Sequence, residues 1–212
     1  MPVRSFDLKA VLIACGTVTS TSLDTLRKEN DLPVLGVVEP SCREALAVTK
    51  NKKIGMIATL ASARSGAYER TLKGLDADVQ VVSQPCPLFV PLVENGRFRQ
   101  GDVVIETVAR EYLTPLIEAG VDTLILGCTH YPLLKDIIGE ICGPGVTLID
   151  SGAASARALR QQLAAEGQLT DRQQGETRFY VSDRPEDFEK LAAVFLEEPL
   201  SRGAERIDIE QY

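Results

Sequence analysis

The chain carries five cysteines, Cys15, Cys42, Cys86, Cys128 and Cys142, and a single histidine, His130. Cys15 and Cys128 stand apart because each closes an apolar run and precedes hydroxyl-bearing residues. Lys9-Ala-Val-Leu-Ile-Ala-Cys15-Gly-Thr17 lies over Asp122-Thr-Leu-Ile-Leu-Gly-Cys128-Thr-His130 with the cysteines aligned. Each segment reads as a buried strand, a small residue, a thiol and the start of a helix. The repeat predicts two similar halves, each offering one thiol at the carboxyl end of a central strand, where open α/β sheets place ligands. A chance likeness of two buried strands is the other reading. A thiol at a helix start faces unsatisfied N–H groups and the positive end of the helix dipole, which favour the thiolate. Thr19 or Ser20 is expected to cap the first helix, and Tyr131-Pro132 to open the second.

Two thiols facing one ligand from opposite sides suit a particular chemistry. A base removes the α-proton of an amino acid from one face, and an acid returns a proton on the other. That α-proton is very weakly acidic, so the carbanion must be shielded from water and met by fixed dipoles. No glycine loop suited to a phosphate and no suggestively placed lysine points to pyridoxal phosphate, and Gly143-Pro-Gly145 reads as a turn. The expectation is therefore a direct reaction with no cofactor and no metal. Cys42, Cys86 and Cys142 are expected to be small buried hydrophobes. No C-x-x-C pair occurs; zinc held by Cys15, Cys128 and His130 is the minor alternative.

The elements that must position the thiols alternate along the chain. Strands are expected over 10–14, 34–38, 53–58, 78–83, 123–126, 146–149 and 177–181. Helices are expected over 20–29, 41–48, 61–75, 103–119, 132–141, 153–165 and 185–196. Continuously apolar strands such as Leu124-Ile-Leu126 suit a parallel sheet covered by helices on both faces. The segment 85–101, with Pro85, Pro87, Pro91, Asn95-Gly96 and Gly101, is expected to be a long structured loop.

Composition narrows the partners. With 212 residues, 44% hydrophobic and 25% charged, the chain is an ordinary globular one with room for a sizeable core. A net charge of −7 argues against nucleic acid or an anionic membrane surface. No apolar run reaches the roughly eighteen residues of a membrane span, and no signal-type core follows Met1. An odd cysteine count without such a leader points to free thiols in a reducing, cytoplasmic setting.

At the thiol segments the chain resembles the glutamate racemases of the aspartate/glutamate racemase superfamily. Leu126-Gly-Cys-Thr-His-Tyr-Pro-Leu-Leu134 is similar to that family's second cysteine motif. Leu35-Gly-Val-Val-Glu-Pro40, Lys53-Ile-Gly-Met-Ile-Ala-Thr59 with Ser65-Gly-Ala-Tyr68, Cys86-Pro-Leu-Phe-Val-Pro-Leu-Val-Glu94 and Ile149-Asp-Ser-Gly152 are similar to further landmarks, in family order. The resemblance implies an α/β protein of two pseudo-symmetric lobes with mainly parallel sheets flanked by helices and the site in the cleft between them. One lobe would take 1–40 plus 150–212, the other 41–149. It implies cofactor-independent interconversion of L- and D-glutamate by two thiols, supplying D-glutamate for peptidoglycan, with glutamate as the partner and a homodimer left open.

Carried over residue by residue, Cys15 and Cys128 would be the proton carriers. Gly16, Thr17 and Thr129, with backbone N–H groups, would hold the substrate's carboxylates. His130 would assist Cys128 and contact substrate, and Glu39 would receive the ammonium or tune His130. Thr59 and Ser62 would face the side-chain carboxylate. The plainer readings are a satisfied core or surface histidine, a helix N-terminal acid at Glu39 and a helix-start hydroxyl at Thr17. Two departures stand out: Gly16 replaces the usual Asn, and the match begins only a few residues before the Cys15 strand, as in a chain lacking the family's N-terminal segment. The competing functions are an aspartate or other amino-acid racemase, an inactive member that only binds amino acid, and a thiol redox or metal protein.

Overall fold

The structure is a computed structural model that describes residues 7–172 and 175–211. It divides by contacts into two units, Lys9–Gln168 and a smaller one of Met1–Leu8 with Leu169–Tyr212. The 40/41 and 149/150 boundaries expected between lobes fall inside the larger unit.

That larger unit is built on two parallel sheets. β1 (Val11–Ile13) pairs with β2 (Val34–Gly36), with Val11 opposite Val34. The second sheet has the order β4-β3-β5-β6, from β3 (Lys53–Ala58), β4 (Gln80–Pro85), β5 (Thr123–Leu126) and β6 (Thr147–Asp150). β5 is buried along its whole length. Helices cover both faces, which is why these strands are apolar without alternation.

On one face, Val38, Cys42 and Ala45 of α2 (Val38–Val48) and Tyr68 and Leu72 of α4 (Ala67–Leu75) pack on Ile54, Met56, Ile125 and Ile149. α6 (Val103–Glu118) buries Ile105, Ala109, Leu113 and Leu116, and packs on β4 and on α7 (Lys135–Cys142). Each of the isoleucine, leucine and methionine side chains among them contributes about 1.5–3 kcal/mol when fully withdrawn from water. α8 (Ser151–Ala165) packs on α2, its start capped by Asp150 Oδ1 accepting from the Ala153 N–H at 3.0 Å.

Four sequence expectations shift. α1 (Gly16–Lys28) begins directly after Cys15, so Thr19 and Ser20 lie inside it. Thr19 Oγ1 instead donates to Ile13 O and accepts from the Val37 N–H, tying helix to strand and loop. The helix expected over 61–75 is split into α3 (Leu60–Ser65) and α4 by Gly66, whose φ of 65° only glycine adopts easily. Tyr131–Leu134 is a 3-10 turn that precedes α7. Finally, the expected loop 85–101 contains a short helix, α5 (Phe89–Glu94).

The smaller unit holds β7 (Tyr180–Val181) parallel to β8 (Glu205–Arg206), with α9 (Pro185–Leu196) between them in sequence. Phe179 and Phe188 bring their rings to 5.8 Å. Among the described residues no helix is long and apolar enough to cross a membrane.

Candidate active site

Both thiols are delivered by the same device. Cys15 lies two residues beyond Ile13, the end of β1, and Cys128 two residues beyond Leu126, the end of β5. The strand-end repeat legible in the sequence is therefore a structural repeat at this level. Beyond the thiols the halves diverge. Cys15 is itself the residue preceding the first turn of α1, in an extended backbone conformation (φ −75°, ψ 119°), and is exposed. Cys128 sits on a turn, partly buried, and the 3-10 turn separates it from α7.

The two loops meet through their glycines. A methyl group placed at Gly16 would stand 2.3 Å from the Gly127 carbonyl oxygen, so the backbones touch where any side chain would intrude. Gly127 in turn donates its N–H to Ile57 O at 2.9 Å, extending the β3–β5 ladder to the residue before Cys128.

Around Cys15 the hydroxyls expected at the site converge. Thr17 Oγ1 lies 2.9 Å from Thr59 Oγ1 and 3.3 Å from Ser62 Oγ, and Thr59 donates to Ser62 at 3.1 Å. Thr59 also caps α3 by accepting from the Ser62 N–H. This cluster joins the first turn of α1 to the first turn of α3. It offers neutral donors, the kind of group that binds a carboxylate in an acidic protein without a cation.

Around Cys128 a second chain forms. His130 Nδ1 lies 3.8 Å from the Cys128 Sγ and 3.3 Å from Thr129 Oγ1, while His130 Nε2 lies 3.1 Å from Glu94 Oε1. Burial pushes the Cys128 thiol above its ordinary value; the His130 N–H and the Thr129 hydroxyl oppose that by hydrogen bonding to sulfur, and nearby Cys15 adds to the rise. A carboxylate on Nε2 favours the tautomer with its proton there, which leaves Nδ1 to accept from the thiol.

Glu94 was missed in the sequence because 85–101 reads as a loop. The structure shows how it arrives. Phe89 stands edge-on to Tyr112 and to Tyr131, each at 5.3 Å between ring centres, and the Tyr131 hydroxyl donates to Cys86 O at 3.1 Å. These contacts, each aromatic pair contributing about 0.5–1.5 kcal/mol, fasten α5 beside the Cys128 turn.

Glu39, expected to serve His130 or an ammonium, is placed elsewhere. It lies in the first turn of α2, ion-paired to Arg43 at 2.8 Å with both side chains about half exposed. It borders a separate cavity of about 280 Å³ between α1, α2 and α4. The physical reason is the helix: Glu39 and Arg43 are one turn apart on an outward face.

A cavity of about 110 Å³ opens beside the thiol loops, lined by Gly16, Gly127, Cys128, Thr129, Asp150 and Ser151 among others. Among the described residues no group of three His, Cys, Asp or Glu side chains is arranged to hold a metal ion. Cys42 and Cys86 are buried and Cys142 partly so, and burial pushes the Cys142 thiol to about 11 and Cys42 to about 12. They are inert core thiols, as their sequence settings suggested.

Both strand-end thiols thus lie on parallel α/β sheets, and one of them has a histidine and a carboxylate beside it. The model of the Asp/Glu/Hydantoin racemase family matches residues 3–159, and the chain belongs to that family. Similar relatives include glutamate racemases: that of Geobacter metallireducens is 43% identical over 192 residues, covering 90% of this chain and 70% of the relative. Among solved structures, glutamate racemase isoform RacE1 of Bacillus anthracis has a TM-score of 0.88 at 35% identity, covering 98% of this chain and 76% of its own. Glutamate racemase of Francisella tularensis, solved in complex with D-glutamate, has a TM-score of 0.89 at 30% identity, covering 99% and 77%.

Proposed function

We propose that this chain interconverts L- and D-glutamate with Cys15 and Cys128 as the two proton carriers and without a cofactor. The observation that carries the reading is the strand-end placement of both thiols on loops that touch at Gly16 and Gly127. In one direction the thiolate of one cysteine takes the α-proton, and the electron pair left on carbon delocalises into the adjacent carboxylate. The opposite thiol then delivers its proton to the other face, leaving the two cysteines with exchanged protonation. The reverse reaction starts from the thiol pair in the other state.

The supporting groups have separable tasks. Thr17, Thr59 and Ser62, together with N–H groups at the start of α1, offer hydrogen bonds to a carboxylate. Thr129 and Gly16 line the cavity beside Cys128 and offer further donors. His130, held by Glu94, assists Cys128. Fixed donors of this kind stabilise charge that develops on the carboxylate as the α-proton leaves. The two thiol-bearing segments would belong to two lobes with the substrate in the cleft between them, and the product would supply peptidoglycan in the cytoplasm.

The test is proton NMR of L-glutamate, and separately D-glutamate, incubated with the chain in D2O. The α-proton signal is expected to vanish, and Cys15→Ser and Cys128→Ser each to abolish or skew exchange toward one enantiomer. A persistent signal from folded protein would sink the reading and favour a member that binds amino acid without turnover. Faster exchange of aspartate than of glutamate would move the assignment to an aspartate racemase.

A further inference from the structure

Glutamate carries an ammonium group as well as two carboxylates, and a charge withdrawn from water needs an opposite one beside it. Thr17, Thr59, Ser62 and Thr129, with backbone N–H groups, offer donors to carboxylates. None of them supplies a negative charge. Glu39 is engaged by Arg43 on the outer face of α2, and Glu94 by His130. The cavity beside Cys128 has one charged residue in its lining, Asp150.

Several contacts hold Asp150 there. It ends β6, where it stands opposite Leu126 of β5 in the parallel ladder. Leu126 is two residues before Cys128, and neighbouring strands lie about 4.8 Å apart, so Asp150 flanks the Cys128 turn. The next residue, Ser151, is buried and donates its hydroxyl proton to Leu126 O at 2.8 Å, which locks the start of α8 to the end of β5. Asp150 Oδ1 is engaged by the cap bond from the Ala153 N–H at 3.0 Å. Among the described residues no hydrogen bond reaches Oδ2. Arg157, two turns along α8, acts on Asp150 only through its field, because both Glu44 oxygens hold its guanidinium, at 2.7 and 2.6 Å. A helix cap uses one oxygen, which asparagine or serine supplies as well as aspartate. The second oxygen and the negative charge are left for the cavity.

We propose that Asp150 receives the α-ammonium of glutamate, binding it through Oδ2 beside Cys128. The inference deepens the proposed function and rests on its reading that the α-carbon end of glutamate lies against Cys128. During racemisation the α-hydrogen changes faces while nitrogen stays bonded to carbon, so one receptor serves both enantiomers. A carboxylate at this place also favours the protonated form of the nitrogen, whose positive charge eases loss of the neighbouring α-proton. Asp150 thus differs from His130, which touches a single thiol.

The experiment is calorimetric titration of the full chain with glutamate and with glutarate, which differs only in lacking the ammonium. The wild type is compared with Asp150→Asn, with thermal melting alongside. The wild type is expected to prefer glutamate. Asp150→Asn is expected to weaken glutamate binding by about tenfold or more, as for loss of a charge-assisted hydrogen bond. Glutarate binding is expected to stay the same or tighten, because a negative charge near a dianion has been removed. The melting temperature is expected to hold, since asparagine also caps a helix. Equal weakening of both ligands, unchanged glutamate affinity, or no glutamate binding by the wild type would overturn the assignment. If Asp150→Asn does not fold, Asp150→Ser keeps a cap oxygen and removes the charge; failure of both to fold would make Asp150 a fold determinant and end the proposal. Titration reads binding whether or not glutamate is turned over. A selective loss in a chain that exchanges no α-proton would count against the proposed function alone, and an unselective one in a chain that does exchange would count against the role of Asp150 alone.

Discussion

Gly16 and Gly127 meet backbone to backbone, with the Gly127 carbonyl oxygen only 2.3 Å from where a Gly16 side chain would begin. Each glycine adjoins one of the two strand-end thiols, so this contact joins the loops that carry Cys15 and Cys128. A residue with a Cβ at position 16 must push the loops apart. Gly16→Ala is expected to lower stability by about 1–3 kcal/mol through overpacking and to slow glutamate exchange in both directions. Thermal melting and exchange in D2O would check it; an unaltered melting curve would show that the loops yield freely.

The His130–Glu94 contact touches only one thiol. Glu94→Gln removes the carboxylate that orients Nε2 while keeping a hydrogen-bonding side chain of the same length. Exchange initiated by Cys128 is expected to fall by up to about 100-fold, the lower end of what general acid–base assistance contributes, because His130 itself remains. Exchange initiated by Cys15 should fall much less. Initial exchange rates measured separately from the two enantiomers would report this asymmetry. Glu39→Gln, on the outer face of α2, is expected to leave both rates within about twofold and stability within about 0.5 kcal/mol, as for an exposed pair.

Burial holds the Cys128 thiol above its ordinary value of 9.0, against the opposing hydrogen bonds of His130 and Thr129. The sign follows directly: without substrate the thiol is mostly protonated at neutral pH, and its thiolate fraction keeps rising past that ordinary value. Alkylation of Cys128 should therefore go on accelerating with pH where a free cysteine peptide has levelled off. A plateau at or below the peptide's midpoint would contradict the buried setting.

Asp122 ties the start of β5 to the loop before β3. Its carboxylate accepts from Thr49 Oγ1 at 2.6 Å and from the Lys50 and Asn51 N–H groups at 2.7 and 2.8 Å. Desolvation pushes its pKa up, yet these hydrogen bonds outweigh it and hold the group below the usual carboxylate range. The folded value is thus lower than the unfolded one. The stabilisation is present above the unfolded value and is lost as pH falls through the folded one. Asp122→Ala is expected to cost about 1–3 kcal/mol at neutral pH and progressively less as pH falls below the ordinary carboxylate range, checked by urea titrations across that range.

Much of this protein was legible as sequence because its signals are local. The apolar runs of β3 and β5, the turn and helix residues between them and the Cys15/Cys128 repeat depend on neighbours within a few positions. They were enough to foresee a parallel α/β fold and the strand-end thiols. The cluster of Thr17, Thr59 and Ser62 was foreseen only through family likeness, since nothing in their spacing brings α1 and α3 together. Tertiary structure alone decided which acid meets His130. Glu39 stands beside a proline at a helix start and looks suited to the task, but helix phase turns it outward to Arg43. Glu94 comes instead, carried by a helix hidden in a proline-rich segment and fastened by Phe89 and Tyr131. The Gly16–Gly127 contact belongs to the same class, set by packing between segments far apart in the chain.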